Sequence, residues 1–201
     1  MRPLGSRPSR RDSLWGRVQC TGPCRRSAGA VTRDGQNYRL GLKVVELASV
    51  LLDEGEVIYV DSKGSSQKII NMSSKVGCRA PVHATSAGKA MLAFIPEEEA
   101  RAILVRKGLP RLTSTTITSL KELMGQLKEI RLIKIAHDFE ENELGIYCIG
   151  TPVFNFTDKL AGGVSVSGPA NRMKEKGLEY LASIVKKTGE DLSARLGYVQ
   201  R

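Results

Sequence analysis

The stretch Pro81-Val82-His83-Ala84-Thr85-Ser86-Ala87-Gly88-Lys89-Ala90-Met91-Leu92 reads as an irregular loop that hands over directly to a helix. Thr85 and Ser86 are suited to cap that helix, because their hydroxyls accept from backbone N–H groups that have no acceptor within it. Ala87, Ala90, Met91 and Leu92 are good helix formers. The first turn, Ser86-Ala87-Gly88, carries only small side chains, so a ligand can come close to the backbone. Free N–H groups at a helix start attract anions, and the run therefore points to a pocket for a small acid. Spacing argues against a phosphate loop. His83 stands where that motif needs its first glycine, and Ala90 stands where it needs a magnesium-binding Ser or Thr. Lys89 is accordingly expected as a surface or interface charge.

Working outward, the pattern is that of an α+β chain. Upstream, Leu40, Val44, Leu47 and Leu51 share one stripe at helical spacing, which predicts a helix over 40–52. Strands are expected at 57–61 and 68–72. Downstream of the quoted run, Pro96 begins another helix, with Glu97, Glu98 and Glu99 at its positive end and Arg106 and Lys107 at its negative end. Residues 113–118 should be extended, and a helix follows over 120–133. Two strands, 145–154 and 160–167, are joined by the hairpin loop Asn155-Phe156-Thr157-Asp158-Lys159. Pro152 suggests an edge or a bulge. A last helix over 171–196 carries Leu178, Leu181, Val185, Leu192 and Leu196 on one face, weakened by Gly177 and Gly189.

Composition bounds the class. The chain has 201 residues, enough for one well-buried domain plus extras. Its net charge of +10 is unevenly spread: residues 1–34 hold eight arginines against two aspartates, a net +6, which leaves +4 for residues 35–201. That head lacks any helical or strand period and reads as a disordered, solvated segment. No apolar run approaches the ~20 residues of a membrane helix, and the N-terminus lacks the apolar core of a signal peptide, so a cytoplasmic protein without membrane contact is the default. Cys20, Cys24, Cys78 and Cys148 make no disulfide framework. Cys148, His83 and Asp138 would hold a metal only if the fold brought them together. No cofactor motif and no catalytic constellation is evident.

Two further stretches stand in order after the first: Asp138-Phe139-Glu140-Glu141-Asn142-Glu143-Leu144-Gly145-Ile146-Tyr147-Cys148 and Ala161-Gly162-Gly163-Val164-Ser165-Val166-Ser167-Gly168-Pro169. Together the three runs resemble the effector-binding domain of the IclR-type bacterial transcription regulators, over about residues 36–198. The resemblance implies a GAF-like, profilin-like fold: a largely antiparallel sheet flanked by helices. It divides the chain into an Arg-rich disordered head (1–35), a remnant of wing and linker helix (36–54) and an effector-binding domain (55–201). The chain departs from the family pattern in three places, the first being that the winged helix-turn-helix is not present. Another helix and a first strand normally follow the linker helix, and without them a sheet edge would be unpaired. Lys134-Ile135 also stands where the family has Gly-Tyr, which removes a helix C-cap.

The resemblance also assigns the site. It implies effector contacts from Ser86, Ala87, Asp138, Cys148, Ser165 and Ser167, with Ile69, Met72, Ala80 and Ile146 supplying an apolar wall. From alternation alone Ser165 and Ser167 would be the solvent-facing side of a strand, and the acidic run after Asp138 a solvated loop. Asp138 suits a ligand hydroxyl or hydrated carbonyl, so the expected effector is a small oxo or hydroxy acid, and the small Ala80 leaves room for one of more than two or three carbons. The function so implied is ligand sensing by a transcription regulator, as a homo-oligomer, with DNA contacted only through a winged-helix domain largely absent here. An enzyme acting on a small organic acid and a non-functional truncated fragment remain the alternatives.

Overall fold

The structure, a computed structural model, describes residues 31–34, 37–40, 46–64 and 76–199. Cys20, Cys24, Ile69, Met72 and the strand expected at 68–72 lie outside the described residues. Strands β1 (Val31–Asp34) and β2 (Asn37–Leu40) pair antiparallel with each other and belong to a separate unit. The second unit runs from Leu42 onward.

Glu54 and Gly55 both have positive φ, 49° and 82°. This is the backbone of a tight two-residue hairpin turn, whose twist matches that of its flanking strands. It joins β3 (Glu46–Asp53) to β4 (Glu56–Gly64). The helix expected over 40–52 is thus replaced, from residue 46 on, by a strand. The helical stripe was coincidental, and Leu47, Val50, Leu51 and Leu52 fall in a strand closed by its own turn. The correction extends to the expected bare edge, because β3 lies between β4 and β8 and pairs with both.

The remaining strands are β5 (Arg79–Pro81), β6 (Ala136–Phe139), β7 (Ile146–Phe154) and β8 (Leu160–Pro169). The sheet runs β5-β4-β3-β8-β7-β6 and every neighbouring pair is antiparallel. Pro152 sits on β7 beyond the four residues that pair with β6, so it lacks a strand partner on that side and no ladder bond is lost.

Among the described residues, five helices accompany the sheet. They are α1 (Ser86–Leu92), α2 (Glu97–Lys107), α3 (Leu120–Ile133), α4 (Ala170–Lys176) and α5 (Leu178–Arg195). The single helix expected at the C-terminus is broken at Gly177, whose φ of 83° is outside helical backbone. Residues 113–115 form a turn and residues 116–118 belong to no strand, where an extended segment is expected; Thr116 Oγ1 accepts from the N–H groups of Leu112 and Thr113. The missing C-cap glycine is replaced in kind. Lys134 itself takes the left-handed conformation (φ 60°), and its N–H closes α3 on the Ile130 carbonyl at 2.7 Å.

Helices lie on both faces of β7. A Cβ on Gly150 would fall 2.7 Å from the Ser86 carbonyl carbon, so α1 rests directly on the strand there. Thr151, the next residue, meets Gly189 of α5 on the other face. Between α1, α2, α3 and the sheet lies the apolar core, which includes Val57, Ala90, Met91, Leu92, Leu104, Leu123 and Leu127. Among the described residues no helix is long and apolar enough to cross a membrane.

Candidate functional site

Register brings the first group of site residues together. Asp138 on β6 pairs with Cys148 on β7, and Cys148 pairs with Ser167 on β8. Directly opposed residues of antiparallel strands share a face, so these three form one row across the sheet. Ser165, two residues before Ser167, pairs with Gly150 and therefore also faces α1. Above this row sits the start of α1. Thr85 is its N-cap, with its Oγ1 accepting from the Gly88 N–H at 3.3 Å and donating to the Pro81 carbonyl at 2.9 Å.

The space between is a narrow cleft, about 390 Å³ when its solvent-open mouth is counted. Its walls include Ser86, Ala87, Asp138, Ile146, Cys148, Ser165 and Ser167 from the expected set. Ala80 is not among them. It lies on β5, buried in the core beside Val57, so its size gives no argument about ligand length. Tyr59, Thr85, Asn142 and Glu143 also line the cleft and escaped the sequence reading. Asn142 and Glu143 follow Asp138 within the quoted motif, and that proximity was the available signal.

Asp138 is 1% exposed. Its Oδ1 accepts from the N–H of Glu141 at 2.8 Å and of Asn142 at 3.4 Å, which folds the chain after β6 into a tight turn. Burial pushes its carboxyl up to about 7, with the Glu141 charge adding to this; the N–H bond from Glu141 and the Lys89 charge oppose it. Near neutral pH it is both a donor and an acceptor. Burial, with Asp138 beside it, pushes the Cys148 thiol well above its ordinary range, so it lines the cleft as a thiol and not as a nucleophile.

Two expectations about charge are corrected. Lys89 is not a surface residue; it is fully buried and its Nζ lies 2.6 Å from Glu141 Oε1. Glu141 is likewise buried, so the acidic run is not solvated throughout. The metal grouping is not formed: His83 is turned to the Pro110 carbonyl at 3.0 Å, and among the described residues no three His, Cys, Asp or Glu side chains cluster.

The family model described as the C-terminal domain of the bacterial transcriptional regulator IclR matches residues 39–194. The chain belongs to the IclR family. The HTH-type transcriptional repressor AllR of Salmonella typhimurium is 32% identical over 160 residues, 80% of this chain and 59% of AllR. The chain thus spans about three fifths of the length of the curated relatives it matches. Among solved structures, Thermotoga maritima IclR superposes with a TM-score of 0.72 at 30% identity, covering 85% of this chain and 81% of that one. The inducer-binding domain of PobR from Acinetobacter, a double mutant in complex with 3-hydroxybenzoic acid, gives 0.67 at 27% identity, over 77% and 88% of the two chains. The unit from Leu42 onward is the C-terminal, effector-binding domain of this family.

Proposed function

We propose that the cleft binds a small organic acid bearing a hydroxyl or carbonyl beside its carboxylate, and that occupancy changes the DNA affinity of the regulator. The convergence of the Asp138–Cys148–Ser167 row, Ser165 and the first turn of α1 around one cleft carries this reading. The Ser86 and Ala87 N–H groups and the hydroxyls of Ser165 and Ser167 supply donors for the carboxylate. Asp138 meets the neighbouring hydroxyl or hydrated carbonyl, and Ile146 and Cys148 line the apolar side. The PobR domain in its complex holds 3-hydroxybenzoic acid, which also carries both a carboxylate and a hydroxyl, although its hydroxyl is meta to the carboxylate. Binding favours one arrangement of the regulator, and by linkage this alters its affinity for DNA. We assign DNA contact to a winged-helix domain outside the effector-binding domain, the active form to a homo-oligomer, and β3 to the effector-binding domain itself.

Calorimetric titration with pyruvate, lactate and 3-hydroxybenzoate tests the reading. At least one acid should bind the wild-type chain, and the doubly substituted Ser165→Ala/Ser167→Ala variant should bind it tenfold or more weaker, since each lost hydrogen bond to a charged group is worth roughly 1.5–3 kcal/mol. Equal binding by the variant would refute it.

A further inference from the structure

Behind the cleft, one turn into α1, Lys89 is 0% exposed and donates to Glu141 Oε1 at 2.6 Å. Glu141 belongs to the connection 140–145 between β6 and β7, whose Asn142 and Glu143 line the cleft. That connection is held from two sides. On one side Asp138 accepts from the Glu141 and Asn142 N–H groups. On the other, Thr113 Oγ1 donates to the Glu140 carbonyl at 2.6 Å and Thr116 Oγ1 to the Glu141 carbonyl at 2.6 Å. Lys89 adds a tether that runs from the connection to α1.

An ion pair so enclosed is a poor source of core stability. Both ions leave water, and Glu141 Oε2 has no hydrogen-bond partner. An apolar pair of similar size would hold the core as well or better. What the charged pair supplies instead is a short, directional link between one loop and one helix.

We propose that Lys89 and Glu141 are positioning residues for the effector cleft: their link fixes the 140–145 connection to α1 and so sets Asn142 and Glu143 at the cleft wall. Neither touches the ligand; both act through the connection. The proposal rests on the effector-binding reading of the cleft, yet its test needs no ligand.

Hydrogen exchange of the full chain is compared for wild type, Glu141→Gln, and Lys89→Met/Glu141→Leu. The Glu141 and Asn142 amides should exchange at least tenfold faster in both variants, beyond any change at β7 and β8 amides. The double variant should recover melting stability without recovering that protection. A change at Glu141 and Asn142 no larger than at β7 and β8 would overturn the proposal. So would protection that returns together with stability, because the pair would then only pack the core. Failure of both variants to fold counts the same way, since the pair would then support the whole domain. Absence of acid binding by the wild-type chain would sink the effector reading and leave the exchange comparison to judge the pair.

Discussion

Replacing Gly150 by alanine tests the seating of α1 on which the cleft depends. The added Cβ would lie 2.7 Å from the Ser86 carbonyl carbon, 2.8 Å from the Ala87 nitrogen and 2.9 Å from the Ser86 oxygen. All three atoms are backbone, so no side chain can rotate away. Restoring ordinary contact requires α1 and β7 to separate by roughly 0.7 Å in a close-packed interior. Overpacking of this kind costs about 1–3 kcal/mol. For a chain of this size that lowers the melting midpoint by roughly 2–4 °C per kcal/mol. The control is Gly125→Ala on an exposed face of α3, where an added Cβ meets nothing within 4 Å. There the better helix propensity of alanine should stabilise by about 0.5–1 kcal/mol. Urea denaturation followed by circular dichroism measures both. A Gly150→Ala variant within about 0.5 kcal/mol of wild type, the size of an ordinary surface change, would mean that α1 does not rest on β7 at this point, and the geometry of the cleft would fall with it.

Two more measurements address single residues. Lys134 occupies left-handed backbone at φ 60°, where glycine is preferred, and its ammonium lies 5.9 Å from the Phe154 ring centroid. Lys134→Gly should therefore raise the urea midpoint by up to about 1 kcal/mol equivalent, the relief of strain exceeding the lost ring contact; a clear loss of stability would contradict that account. Asp138 binds its proton more tightly folded than unfolded, since its carboxyl rises from 3.8 to about 7. Between these values the folded state holds more protons, so this group's contribution to stability falls as pH rises from about 4 to 7. Stability of Asp138→Asn minus wild type should grow over that window. A flat difference would show that Asp138 titrates normally. The variant comparison is needed because burial lowers His83 and His137, which gives wild type an opposing trend toward pH 6.5.

Much of the architecture was legible locally. The α1 cap, the acidic start and basic end of α2, α3 over 120–133 and the β7–β8 hairpin all follow from residues close in sequence. β3 was not, because its leucines fit a helical stripe as well as a strand, and the decisive Glu54-Gly55 turn lies just past it. The burial of Lys89 was not legible either. A lysine among small residues reads as exposed until a carboxylate 52 positions later is placed against it. The row Asp138–Cys148–Ser167 is a property of strand register, which no single stretch of sequence displays. The resemblance named its members, but only the pairing of β6, β7 and β8 shows them side by side.

The seam between β3 and β8 has a consequence for how the sensor is made. Glu46 pairs with Ser167, about 120 residues further on, and closing so long a loop precedes any reward from the pairing. The β3–β4 hairpin can form as soon as it emerges from the ribosome, but its inner edge waits for the last strand. Ser165 and Ser167 arrive on that same strand. The row that sets Ser167 beside Cys148, and Ser165 beside Gly150, can therefore assemble only after β8 has been made.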